Sequence, residues 1–193
     1  MKRNKIHLFC ALLILPLVMG ACAKPPVEEM NNAQDAVTRA ENDADAVFYA
    51  GSALARARDA LNRMQTEADA KRYDAAKSYA AEAVAAADKA IADGRAGAAR
   101  ARNEAAALIA GLKPALTETG QGLKAAQSAR LALDFASLNR DFEAARLSAE
   151  QAEIALSGNQ YQDAIDKGNS ARAGLSDINQ KLSEAASAIS RKK

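Results

Sequence analysis

The sequence predicts an all-α protein: a long antiparallel, coiled-coil-like helical hairpin, followed by a second helical hairpin or bundle. Composition points there first, since alanine is about a quarter of the chain and aromatic residues are 4%, a balance that favours helix and disfavours sheet. Periodicity points the same way, because apolar positions recur at alternating spacings of three and four, as on a helix face. The polar breaks between these stretches are short. A short connection leaves no room for a crossover and makes successive helices antiparallel neighbours.

The first module is expected over residues 28–112. Ala23-Lys24-Pro25-Pro26 reads as a stiff tether, and Pro26 with Glu28 and Glu29 suits a helix first turn, where proline loses no bond and carboxylates meet the positive end of the dipole. From there a seven-residue repeat runs Ala33, Ala40, Val47, Leu54, Leu61, Ala68, with Met30, Val37, Ala44 and Gly51 as companions. Such a repeat is a coiled-coil-like seam. Arg58 and Gln65 interrupt the companion series, and Ala57 and Met64 take over on the adjacent stripe. After Lys71-Arg72 a second helix starts at Tyr73, with the seam Ala76, Ala80, Ala83, Ala87, Ala90, Gly94, Gly97, Ala101. Two helices of about 40 residues would each be about 60 Å long at the standard rise.

Lys113-Pro114 is expected to end that hairpin, because proline removes an interior hydrogen bond and prefers a first turn. The second module then covers 114–190, with Gly120 and Gly122 loosening its start. Asn139-Arg140-Asp141 and Gly158-Asn159-Gln160 read as further breaks. Each precedes an aromatic that launches a seam: Phe142, Ala145, Ala149, Ala152, Leu156, and then Tyr161, Ala164, Gly168, Ala171, Leu175, Ile178, Leu182. Tyr73, Phe142 and Tyr161 are therefore assigned to packing at helix starts, plugging the turns, rather than to ligand contact. Because the breaks let the chain reverse, the seams can be satisfied within one molecule, and a monomer or at most a dimer is expected.

Residues 1–21 have the form of a secretory signal. Lys2, Arg3 and Lys5 precede an apolar run from Leu8 to Met19, which is shorter than the roughly 20 residues a membrane span needs. Met19-Gly20-Ala21-Cys22 resembles a lipobox, with Met19 in place of the more usual Leu. The resemblance implies cleavage after Ala21 and acylation of Cys22, so that residues 22–27 are a lipidated cysteine and tether. The alternative is an ordinary thiol at Cys22; with Cys10 removed in the leader, it would be unpaired in an oxidising compartment. Ala23 in place of Asp after the cysteine implies sorting to the outer membrane, with the body facing the periplasm.

The remaining chain contains no His, no Trp and no further Cys, since His7 and Cys10 leave with the leader. Zinc and copper sites and His-dependent nucleophile systems lack their ligands and bases. Composition leaves carboxylate-only chemistry open, as in a glycosidase pair or a calcium site, but no calcium loop, phosphate loop or nucleophile elbow occurs, so neither catalysis nor a cofactor nor a metal is expected. The chain has 26 basic and 24 acidic residues; three of the basic ones are Lys2, Arg3 and Lys5, and the remainder is balanced to within one charge. Charges alternate along the helices, which argues against a nucleic-acid partner. Arg191-Lys192-Lys193 forms a basic terminus that complements a helix dipole.

Leu54-Ala55-Arg56-Ala57-Arg58-Asp59-Ala60-Leu61, Tyr73-Asp74-Ala75-Ala76 and Ala80-Ala81-Glu82-Ala83-Val84, behind the lipobox, resemble the alanine-rich bacterial lipoproteins that carry the domain of unknown function DUF4398. The resemblance spans residues 28–110 and implies a helical hairpin and an envelope location, with no activity attached. Gly158-Asn159-Gln160-Tyr161-Gln162-Asp163-Ala164-Ile165 looks like the opening of a tetratricopeptide-type helix, without the full repeat. The expected function is a non-catalytic, membrane-anchored structural scaffold or protein-interaction module. The alternatives are a helical-repeat adaptor that recruits or activates an envelope enzyme, and a cell-wall tether in which Lys193 resembles the peptidoglycan-linked terminal lysine of the major outer-membrane lipoprotein.

The lipid assignment has a direct test. Cys22→Ser should leave a larger, uncleaved precursor on immunoblots, and globomycin should cause the same accumulation. Normal maturation of Cys22→Ser would refute it.

Overall fold

The computed structural model describes residues 24–190, with side chains to residue 188; the signal segment, Ala21, Cys22 and Arg191-Lys192-Lys193 lie outside the described residues. The described chain is all-α, as expected: α1 Val27–Asn42, α2 Ala44–Tyr49, α3 Gly51–Asp69, α4 Tyr73–Ser128, α5 Phe135–Ser157 and α6 Tyr161–Ser190. Among the described residues no helix is long and apolar enough to cross a membrane. The helices form two compact units. One comprises α1, α3 and α4 as far as Ala90; the other comprises α2, α4 from Ile91, α5 and α6.

The first unit differs from the expected two-helix rod. What was read as one helix of about 40 residues is three, interrupted at Asp43, whose backbone is extended (φ −84°, ψ 112°), and at Ala50. Asn42-Asp43 and Gly51-Ser52 are poor helix interiors, and the breaks let α1 fold back along α3. Cross-helix ion pairs show the path. Glu29 meets Lys77 at 2.6 Å and Arg39 meets Asp88 at 3.9 Å, so α1 and α4 run parallel. Arg58 meets Glu41 at 2.6 Å; Arg56 meets Glu82 at 2.8 Å and Arg63 stands over the Tyr79 ring, 5.9 Å from its centroid, so α3 runs antiparallel to α4 and therefore to α1. Arg58 is thus an exposed clamp between α1 and α3. The buried line on α3 is Leu54, Ala57, Ala60 and Met64, while Val47 of the expected seam is 52% exposed.

The second unit repeats this up, down, up course with α4, α5 and α6. Leu108 and Leu112 lie opposite Gly168, Asn179 Nδ2 donates to the buried Thr119 Oγ1 at 2.9 Å, and Gly122 faces Leu182. These pairs advance together, so α4 and α6 are parallel. Phe142 over Gly120 and Ala145 against Gly174 set α5 between them in the opposite direction. Ala145, Ala149, Ala171 and Leu175 close the middle of the core around Leu112.

Two expected breaks are helical. Pro114 lies inside α4, although an interior proline costs about 3 kcal/mol through its lost hydrogen bond and the clash of its ring with the preceding turn. Here Ala110, Gly111, Lys113 and Pro114 are all exposed, so water reaches the carbonyl that proline leaves free, and Thr117 Oγ1 donates to the Lys113 carbonyl at 3.0 Å. Asn139-Arg140-Asp141 lies within α5, and Phe142 is therefore not at a helix start. The chain instead turns over residues 129–134, and Asp134 caps α5 by accepting from Ala136 N at 3.1 Å and Ser137 N at 3.0 Å.

All three reversals between long helices share one geometry. Lys71, Arg130 and Asn159 adopt left-handed backbone with φ of 58°, 51° and 59°. The amide after each reaches back to the fifth residue before it: Arg72 to Glu67, Leu131 to Ala126, Gln160 to Ala155. This is the Schellman closure, made here without glycine. The breaks expected at Lys71-Arg72 and at residues 158–160 are the first and third of these turns.

Close helix contact at buried alanines predicts that Ala83→Leu or Ala149→Leu costs about 1–3 kcal/mol by overpacking, whereas Ala85→Leu, on the exposed face of α4, should stay within about 0.5 kcal/mol. Thermal or urea unfolding followed by circular dichroism measures both. Equal stability of the two classes would show the seams to be misassigned.

Candidate functional site: an aromatic groove with an acidic rim

Seven aromatic residues lie between residues 24 and 190, and three of them meet at one end of the second unit. There the short helix α2 faces the turn before α6 and the first turn of α6. A helix of six residues does not persist alone, so packing must hold α2. Two glycines of α4 provide it. A Cβ on Gly94 would lie 2.5 Å from the Ala46 backbone nitrogen, and one on Gly97 would lie 2.5 Å from Tyr49 Cβ. The backbones of α2 and α4 are therefore in direct contact, which fixes the direction of both aromatic side chains at the end of α2.

Tyr49 packs into the core with Tyr161, Ala101, Ala105 and Ala164. Phe48 turns outward, 64% exposed, with its ring edge-on to Tyr49 at 4.8 Å between centroids. Such a contact fixes ring orientation as well as burying area. Across the groove Tyr161 Oη donates to Asn159 Oδ1 at 2.8 Å, so the left-handed turn residue also holds the tyrosine in place. The cavity of about 450 Å³ is lined by these residues together with Asp45, Asp163 and Asp166. Asp163 also pairs with Lys167 at 2.9 Å, and Asp166 accepts from Gln162 at 3.2 Å. Burial, then the neighbouring Asp45 carboxylate and Tyr161, push the Tyr49 phenol above its ordinary range.

The aromatics expected at helix starts are distributed among separate places. Tyr161 opens α6 and forms one wall of the groove, Tyr73 opens α4 in the first unit, and Phe142 packs inside α5 against Gly120. Sequence reasoning missed Asp45, Phe48 and Tyr49. Their signal was the adjacent pair Phe48-Tyr49 in an alanine-rich stretch, which the heptad reading absorbed through Val47. Among the described residues no three His, Cys, Asp or Glu side chains converge as a metal site. The chemistry this groove offers is recognition by aromatic faces and carboxylates.

Gly94→Ala should destabilise the protein by about 1–3 kcal/mol, because the new methyl meets backbone that cannot move aside. Gly111→Ala, with nothing within 4 Å, should stabilise it by about 0.5–1 kcal/mol through helix propensity. Urea titrations of both variants check the contrast, and a stabilising Gly94→Ala would remove the stated reason for the seating of α2.

No curated protein and no solved structure shows significant similarity to the chain. A family model, described as a domain of unknown function (DUF4398), matches residues 28–107. That stretch covers α1, α2, α3 and α4 as far as residue 107, including Gly94 and Gly97 beneath α2. From α1 to the middle of α4, then, the chain carries a DUF4398 domain.

Proposed function

We propose that the protein is a non-catalytic envelope lipoprotein, anchored through acylated Cys22 and acting as a structural scaffold or protein-interaction module, on the periplasmic face of the outer membrane. The observation that carries the interaction reading is the exposed Phe48 ring on a helix locked in place by glycine contacts. A large apolar side chain held rigidly in water costs solvation, and a partner surface recovers it with little further ordering cost. The lipobox-like Met19-Gly20-Ala21-Cys22 supports the anchored location.

A second reading, an adaptor that recruits or activates an envelope enzyme, is favoured by the concave form of the groove on the second unit. Its aromatic walls have the character of interface hot spots, where tyrosine and other large rings carry much of the binding energy.

Quantitative mass spectrometry of proteins co-isolated from native envelopes tests the interaction reading. Phe48→Ala should deplete at least one partner about tenfold or more, as loss of a hot-spot ring does, while Ile154→Ala, a change at another exposed apolar residue, should not. An identical partner set with Phe48→Ala would overturn it.

A further inference from the structure

We infer that the groove between α2 and the start of α6 takes cationic side chains from an extended Lys- or Arg-rich segment of a partner protein. This rests on the interaction reading above and gives the partner its chemistry. Three of the ten lining residues are the carboxylates Asp45, Asp163 and Asp166, three are the aromatics Phe48, Tyr49 and Tyr161, and none is Lys or Arg. Lys167 engages Asp163 from outside the lining, which leaves Asp45 and Asp166 without a basic partner among the lining groups. An ammonium or guanidinium over a ring gains from the negative π face, and a carboxylate at the rim gives its N–H groups an acceptor.

A cation is a better match than an apolar side chain. Apolar groups would bury the carboxylates without pairing them, at a desolvation cost, whereas cationic groups compensate that charge. The Tyr49 phenol is raised mainly by burial, and the Asp45 carboxylate beside it adds to that shift. The cavity of about 450 Å³ is open to solvent and has room for more than one long side chain, which suits an extended segment.

The chain has a basic segment of its own, Arg191-Lys192-Lys193. It cannot be the occupant within one molecule. Helix α6 starts at the groove with Tyr161 and runs 30 residues to Ser190, which at 1.5 Å per residue puts that end about 45 Å away. A second copy could supply this tail, and the experiment separates that case.

The test uses the full chain as the cell makes it, purified in neutral detergent, with a fluorescein-labelled dodecapeptide of alternating Arg and Ser as the probe. Fluorescence anisotropy should show saturable binding that weakens with salt, while a Gln-Ser peptide of equal length should not bind. Asp45→Asn with Asp166→Asn should weaken binding about tenfold or more, and Phe48→Ala about threefold or more. The equally charged control Asp35→Asn with Asp69→Asn, in the first unit, should stay within about twofold. Circular dichroism melts confirm that each variant is folded. Absence of Arg-Ser binding by the folded parent, equal binding of the Gln-Ser peptide, or an equal loss in the control pair would overturn the proposal. Self-association abolished by Asp45→Asn and by replacing Arg191, Lys192 and Lys193 with Ala would assign the groove to a second copy and overturn it too. If Phe48→Ala depletes envelope partners but the Arg-Ser peptide does not bind, the interaction reading stands and the cationic chemistry is wrong. If the peptide binds as expected and the partner set is unchanged, the cationic chemistry stands and the interaction reading fails.

Discussion

Helix backbones can approach closely here because the residues between them are mostly alanine, with glycine at the tightest contacts, and the rest of the structure depends on that constraint. Among the described residues the buried side chains are mostly alanine, with a minority such as Leu54, Met64, Leu112 and Ile178 supplying bulk, so few interior knobs hold the helices in register. Other contacts help to set it. In the first unit it follows ion pairs such as Glu29 with Lys77 and Arg58 with Glu41. Each pair is exposed and adds little to stability, but together they favour one alignment of otherwise similar alanine faces. In the second unit the same task falls to the Thr119–Asn179 bond, the Gly120–Phe142 contact and the aliphatic cluster of Leu123, Leu138 and Ile178.

Much of this was legible in the sequence, and what was not has a physical reason. Helix content, the alanine seams through Ala76, Ala83, Ala90, Ala149 and Ala171, and the turns at Lys71 and Asn159 follow from periodicity and from polar punctuation. The folding back of α1 does not, since Ala33, Ala40 and Leu54 satisfy one heptad whether the chain is straight or reversed. Only Asn42-Asp43 and Gly51-Ser52 hinted at the corner. Pro114 misled because the packing of α4 on both sides of it, through Leu112, Leu116 and Leu123, outweighs the cost of an interior proline, which is a tertiary fact. Asp134, a plain N-cap before Phe135, was a signal present and overlooked, outweighed by the polar run at residues 139–141. The groove was half legible: Tyr161 was singled out as an aromatic, but nothing local brings it to Phe48 and Tyr49.

The two walls of the groove come from different parts of the chain. The ledge carrying Asp45, Phe48 and Tyr49, with the two glycines beneath it, lies within the DUF4398 match, which ends at residue 107. The opposite wall, from Asn159 to Asp166, lies beyond it. The groove therefore belongs to the combination of the matched domain and the helical region that follows it.

An interior built from methyl groups also has a calorimetric signature. Each buried alanine removes little apolar area from water and sacrifices no side-chain rotamers. The heat-capacity change of unfolding grows with the apolar area newly exposed. For this chain the expected value is below the roughly 12–15 cal/mol/K per residue of ordinary globular domains, which would flatten the stability curve. Cooling should then weaken the protein less than it weakens a domain packed with leucine and phenylalanine.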